Sequence, residues 1–249
     1  MPIALQTEKL CKSFGALVVA DAIDFRLEAG ARHALIGPNG AGKTTFVNML
    51  MGALAPSSGR ILLGAEDITA VRQAARVRRG LGRTFQINTL FRSLPVLDNV
   101  ALGIAERRGV GHRMWHPASS HKDIRDESME LLSVLGLADD ALVPVRDLPY
   151  GKQRLVEIAI ALGLKPNVLL LDEPAAGVPS QECDRILQVL DRLPAHIAIL
   201  IIEHDMDLVF RFARRITVLV QGVVLVEGPP EEIARDARVH QVYLGEQHA

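Results

Sequence analysis

Two cysteines, no excess of either charge and no apolar run longer than the six residues 197–202 bound what this chain can be. Cys11 and Cys183 stand far apart and in no spacing that reads as a metal or dithiol motif, so both are expected to be reduced thiols. Lys and Arg number 28 against 29 Asp and Glu, which gives no global basic surface of the kind that holds nucleic acid. No stretch reaches the length of a bilayer span, and the opening residues lack the basic and apolar regions of a secretory signal. No segment recurs, so the chain carries one copy of whatever chemistry it has. At 249 residues with 49 % hydrophobic content, it can bury a substantial core, as one large α/β domain with a smaller subdomain.

What is present is a run of small residues, Gly37-Pro38-Asn39-Gly40-Ala41-Gly42-Lys43-Thr44-Thr45, directly after the apolar stretch His33-Ala34-Leu35-Ile36. A Gly-rich turn before an ordinary helix would look alike in isolation. The strand before it and the apolar helical run Phe46-Val47-Asn48-Met49-Leu50-Met51 after it supply the context of a phosphate cradle. There the backbone N–H groups of Asn39, Gly40, Ala41 and Gly42 wrap an anion, and the following helix adds its positive end. Lys43 supplies a point charge for the β- and γ-phosphates, Thr44 a hydroxyl for Mg²⁺, and Thr45 a further phosphate contact. A purine nucleotide with Mg²⁺ is the expected ligand.

The rest of the chain alternates buried strands with helices. Residues 168–171 and 197–202 are continuous apolar runs typical of strands covered on both faces. Helices are expected at 71–79, around 100–105 and 129–132, from 151, at 180–193 and at 205–213. Residues 60–63 and 81–85 read as short strands, and 216–220 with 223–226 as a hairpin turning at Gln221-Gly222. This pattern implies a mainly parallel sheet. The stretch 97–150, interrupted by a loop at 109–121, is a candidate helical subdomain within a core made of 1–96 and 151–249.

Polar pairs close two of the buried strands. Asp172 and Glu173 lie at the carboxyl end of one, where open α/β sheets bind ligands. Asp172 would hold Mg²⁺ through its water shell, and Glu173 would orient or deprotonate an attacking water. Glu203-His204 end the other, and if the two strands are neighbours the His204 imidazole reaches the same water and the γ-phosphate. Gln86 follows its strand in the same way, with an amide for Mg²⁺ or the water; taken alone it is an ordinary surface amide.

The phosphate loop, Gln86, Leu148-Pro149-Tyr150-Gly151-Lys152-Gln153, Leu171-Asp172-Glu173-Pro174 and His204 occur in the order of an ABC transporter nucleotide-binding subunit, and the chain resembles one over nearly its whole length. The resemblance implies the ABC ATPase fold of the P-loop NTPases: a mainly parallel core sheet, an N-terminal antiparallel β region and a helical subdomain. It also implies that Phe14, otherwise just as well a core residue, stacks on adenine. Arg83-Thr84-Phe85-Gln86, Leu90-Phe91-Arg92, Glu173-Pro174-Ala175-Ala176-Gly177, Glu203-His204-Asp205-Met206 and Tyr243-Leu244-Gly245-Glu246 narrow the likeness to the longer ATPase of branched-chain amino-acid importers. Such a subunit hydrolyses ATP with Mg²⁺ at the cytoplasmic face of the inner membrane. It pairs with itself or with a second ATPase and drives two integral membrane permeases served by a periplasmic or extracellular substrate-binding protein.

Three positions depart from the family pattern. Pro149 replaces the signature serine, so a phosphate contact across the dimer must come from Tyr150, Gly151 or neighbouring N–H groups. Lys152 stands where Gln is common and would bring a positive charge to the same phosphate. Pro179 stands where the family has Asp or Asn, in a loop that crosses the dimer interface. Other readings of the same motifs are an ABC system for urea, amides, aromatic acids or lipid-linked export, and a soluble ABC ATPase outside transport.

Overall fold

The computed structural model describes residues 2–84, 90–110 and 120–245. Two sheets divide the strands. The first runs in the order β2-β1-β4-β5 and is antiparallel, built from β1 (Ile3–Phe14), β2 (Leu17–Glu28), β4 (Ser58–Leu63) and β5 (Glu66–Asp67). The second runs β10-β9-β3-β8-β7-β6 and contains β3 (Arg32–Ile36), β6 (Leu81–Arg83), β7 (Val168–Asp172), β8 (Ala198–Ile202), β9 (Arg215–Val220) and β10 (Val223–Gly228). Its pairs are parallel except for the β9–β10 hairpin.

The continuous apolar runs are explained by burial on both faces of the second sheet. In β7, Leu169 and Leu171 join a core shared with the helices, while Val168 and Leu170 face the opposite way, toward α1 (Lys43–Met51) and the antiparallel sheet. In β8, Ile199 and Ile201 alternate with Leu200 and Ile202 in the same sense. A two-sided strand has no polar face to reveal its period, hence the unbroken hydrophobic letters.

Between β6 and β7 the described chain is helical: α3 (Val96–Arg107), α4 (Lys122–Val134), two short 3₁₀ turns and α5 (Tyr150–Gly163) follow α2 (Gln73–Arg78), which precedes β6. Then come α6 (Ser180–Asp191), α7 (Met206–Phe212), α8 (Pro230–Ile233) and α9 (Ala237–Gly245). The last two were not foreseen, because Pro229-Pro230 and short charged turns mask their period. The strand expected at 81–85 closes at Arg83; Phe85 and Gln86 lie outside the described residues, as do 111–119 of the middle loop. No helix among the described residues is long and apolar enough to cross a membrane.

Arg76 joins the first sheet's surroundings to the phosphate-loop helix. It is 1 % exposed, and its guanidinium donates to Met49 O (2.7 Å) and Leu50 O (2.6 Å) at the end of α1, and to Thr69 O and Val71 O. A helix ends with carbonyls lacking intrahelical partners and a partial negative charge. One buried cation meets both needs, and burial pulls its pKa below the ordinary arginine value against the opposing pull of Asp67.

Candidate nucleotide site and its relatives

β3 delivers the chain into the glycine run, where glycine is needed for two different reasons. An added Cβ at Gly37 would strike Leu219 O at 2.1 Å, and one at Gly42 (φ +99°) would strike Val19 O at 2.6 Å. Gly40 has open space around it but φ +76°, so there backbone conformation alone demands glycine. The turn of the β9–β10 hairpin braces the loop from behind, with Gly222 N donating to Ala41 O and Asp21 N donating to Gly222 O. Gln221 and Gly222 both have positive φ, as a tight two-residue hairpin turn requires.

The first backbone bond of α1 runs from Phe46 N to Gly42 O, so its opening N–H groups face the loop. Lys43 Nζ donates to Gly37 O (2.5 Å) and Pro38 O (2.9 Å). Asn39, Gly40 and Thr44 are exposed, Thr45 is half-buried, and Gly37 and Ala41 behind them are buried. Phe14 ends β1 and is 52 % exposed, with Lys12 Nζ 5.0 Å from the ring centroid, so it is a surface aromatic and not the core residue that the letters allowed.

β7 and β8 are parallel neighbours with Asp172 opposite Ile202, which brings Glu173 and His204 to the same end of the sheet. His204 Nδ1 lies 3.7 Å from Glu173 Oε1 and 3.8 Å from Glu203 Oε2. These are ion-pair distances and too long for hydrogen bonds. Glu173 has φ +46°, a conformation that costs a side-chain-bearing residue about 1–2 kcal/mol. It is pinned by its own N–H to Ile202 O (2.9 Å) and by Ala176 N donating to Glu173 O.

Several residues of the site were missed in the sequence. Glu203, 1 % exposed, accepts from Ala175 N and His204 N and so ties the loop after Glu173 to the end of β8; burial raises its pKa. Arg83 bridges Asp172 Oδ2 (2.5 Å) and Asn48 Oδ1 (2.9 Å), fixing the carboxylate against α1. Asp205 caps α7 through Asp207 N and Leu208 N. The strand-end letters Glu203-His204-Asp205 carried a signal for the first and last; Arg83 entered only as a letter of the family likeness, with no local sign of its pairing to Asp172.

At the signature segment, Lys152 Nζ bonds both oxygens of Asp140 (2.9 and 2.7 Å), so its charge is taken up inside the helical region. The partner comes from the acidic 3₁₀ turn Ala138–Asp140, which no pattern in the sequence places within reach of α5. Gln153 Nε2 donates to Leu148 O, and the Arg154 guanidinium lies 5.5 Å from the Tyr150 ring centroid.

Arg154 also pairs with Glu157 at 2.9 Å, both nearly fully buried, and burial still pushes the Glu157 carboxyl up to about 7 from 4.5. A raised folded-state value means that the linked stability is complete below 4.5 and is lost as pH rises through about 7. In Glu157→Gln this contribution disappears. Thermal melts between about pH 5 and pH 8 should show a shallower fall in stability with pH than the parent chain.

A family model described as "ABC transporter" matches residues 20–176, from β2 through the phosphate loop to the loop after Glu173. The chain belongs to the ABC transporter family. A second model, "Branched-chain amino acid ATP-binding cassette transporter", matches residues 223–249 of this ABC ATPase, which include α8 and α9. The high-affinity branched-chain amino acid transport ATP-binding protein BraF of Pseudomonas aeruginosa is 34 % identical over 251 residues, covering 97 % of this chain and 98 % of its own. LivG of Escherichia coli K12, of the same description, is 35 % identical with the same coverage. The lipopolysaccharide export system ATP-binding protein LptB of Acidithiobacillus ferridurans is 36 % identical over 98 % of this chain and 97 % of its own. An ATP-binding cassette of an ABC transporter, solved in its ADP conformation, superposes with a TM-score of 0.88 at 29 % identity, covering 98 % of this chain and 100 % of the other. This ABC ATPase is thus an ATP-binding subunit of the branched-chain amino acid branch.

Proposed function

We propose that two ATPase subunits of this kind sandwich ATP and so power uptake of branched-chain or related amino acids through a pair of membrane permeases. The observation that carries the reading is the convergence, at one end of one sheet, of the loop after β3, Asp172-Glu173 at the end of β7 and His204 after β8. Full-length likeness to the branched-chain amino acid ATPases supports the cargo.

The cradle suits a nucleotide polyphosphate: a partly exposed glycine-rich loop, a helix N-terminus and one lysine. The donors also suit Mg²⁺, a hard cation that takes one or two protein oxygens and completes its shell with water and phosphate. Thr44 and Asp172 would hold it, with Gln86 as a further oxygen. When bound, Mg²⁺ supplies charge neutralisation at the β- and γ-phosphates. Lys43 adds its charge to the γ-phosphate, Phe14 stacks on adenine, Glu173 holds and deprotonates the attacking water, and His204 orients that water against the phosphate. Tyr150 and Gly151 of one subunit contact the γ-phosphate carried by the other.

The permease would dock near the turn Phe91–Pro95. Asn99, 1 % exposed, accepts from Phe91 N and donates to the carbonyls of Phe91, Leu94 and Pro95, which stiffens the turn and leaves Phe91 59 % exposed. Such a subunit works on the cytoplasmic face of the membrane, with a substrate-binding protein beyond it. The export relative favours a second reading, the same machine moving a lipid-linked cargo.

Tagged Glu173→Gln chain, captured from detergent-solubilised membranes of its native cell, should bring down two multi-span permeases and a second ATPase. Recovery of lipid-export permeases would select the second reading, and recovery of soluble proteins alone would remove transport altogether.

A further inference from the structure

The signature helix α5 opens on Pro149, which has no side-chain acceptor to offer its first N–H groups. That need is met from another helix. Glu182, in the first turn of α6, places Oε2 2.9 Å from Gly151 N. Glycine permits this approach, since a Cβ on residue 151 would stand 2.1 Å from the same oxygen. The carboxylate sits where the positive ends of α5 and α6 meet, and charge-assisted bonds to helix N-termini are favourable. One residue away, the Tyr150 ring packs over Gly177, where an added Cβ would lie 3.4 Å from Cε1. Two contacts therefore join the signature to the segment that follows Glu173.

We propose that Glu182 is a releasable cap: its carboxylate holds the Gly151 N–H within a subunit and must yield it when the γ-phosphate of the facing subunit's ATP arrives. The inference rests on the sandwich reading above. A carboxylate and a phosphate oxygen cannot share one N–H and repel each other at that range, so the cap opposes closure until nucleotide on the partner outbids it. Release of Glu182 loosens the first turn of α6 and, through Gly177 and Tyr150, the loop that leads back to Glu173. With Pro179 in place of a polar residue in that loop, this route inside one subunit couples closure to the hydrolytic end of the sheet.

The test uses the full chain carrying Glu173→Gln, alone and with the second ATPase recovered in the capture experiment. The ATP concentration that drives half of it into dimers is measured by sedimentation, and thermal stability is followed in parallel. Glu182→Gln keeps a neutral acceptor of the same shape and removes the charge; Glu182→Ala removes the cap. Both should pair at about threefold to tenfold lower ATP, while Tm falls modestly in the Ala variant. A cap that serves only stability predicts pairing that is unchanged or weakened in step with Tm, and either result overturns the proposal. If the Glu173→Gln chain shows no ATP-dependent pairing in either setting, the sandwich reading falls and takes the cap with it. Pairing that is insensitive to Glu182 removes the cap alone.

Discussion

Replacing Glu173 with Gln should lower steady-state ATP hydrolysis by about 10²–10⁴-fold, the range expected when a positioned general base is lost, with ATP binding intact. The phosphate loop has supports of its own, with Lys43 Nζ donating to Gly37 O and Pro38 O and the β9–β10 turn bracing the loop from behind. The Gln amide retains the shape and the strained φ of +46° held by Ile202 O, so the fold is undisturbed. Removal of the base thus separates the chemical step from binding. Phosphate release under saturating ATP, compared with nucleotide affinity by calorimetry, checks the split. Equal loss of both would mean that Glu173 supports the cradle and has no role in chemistry.

The second large effect is on stability. Arg76→Met should cost about 3–5 kcal/mol, because two α1-terminal carbonyls and those of Thr69 and Val71 lose a buried donor together. For a domain of this size, that is a drop in Tm of roughly 10 °C. Arg76→Lys should recover only part of the loss, since an ammonium has three donors on one centre and cannot fork to four carbonyls. The cost falls on the helix that carries Lys43 and Thr44, so the variant should also bind nucleotide more weakly as its Tm is approached. Calorimetric unfolding of the two variants against the parent measures both.

These two residues differ in how plainly the sequence announces them. Asp172-Glu173 follow a run of four apolar letters and precede Pro174, a local pattern that reads at once as a strand end. Arg76 is one of several arginines in a basic stretch and reads as a solvated helix face; only its burial over the end of α1 reveals the role. Lys152 shows the reverse case, since its place in the signature segment suggested a phosphate while no local letter announced its pairing with Asp140 within the subunit. Gln86 lies outside the described residues and rests on its motif.

The letters alone were sufficient for the phosphate loop, the two buried strands with their polar ends, the β9–β10 turn and the family. Each depends on residues within a few positions of one another, where glycine conformation, proline geometry and hydrophobic period act directly. Folding was required to set β7 beside β8, to bring Arg83 onto Asp172 across 89 positions, and to carry Glu182 to Gly151 across 31. Those contacts join residues whose types are common everywhere in the chain, and their pairing follows from the order of the strands and the packing of helices between them, which no local pattern encodes.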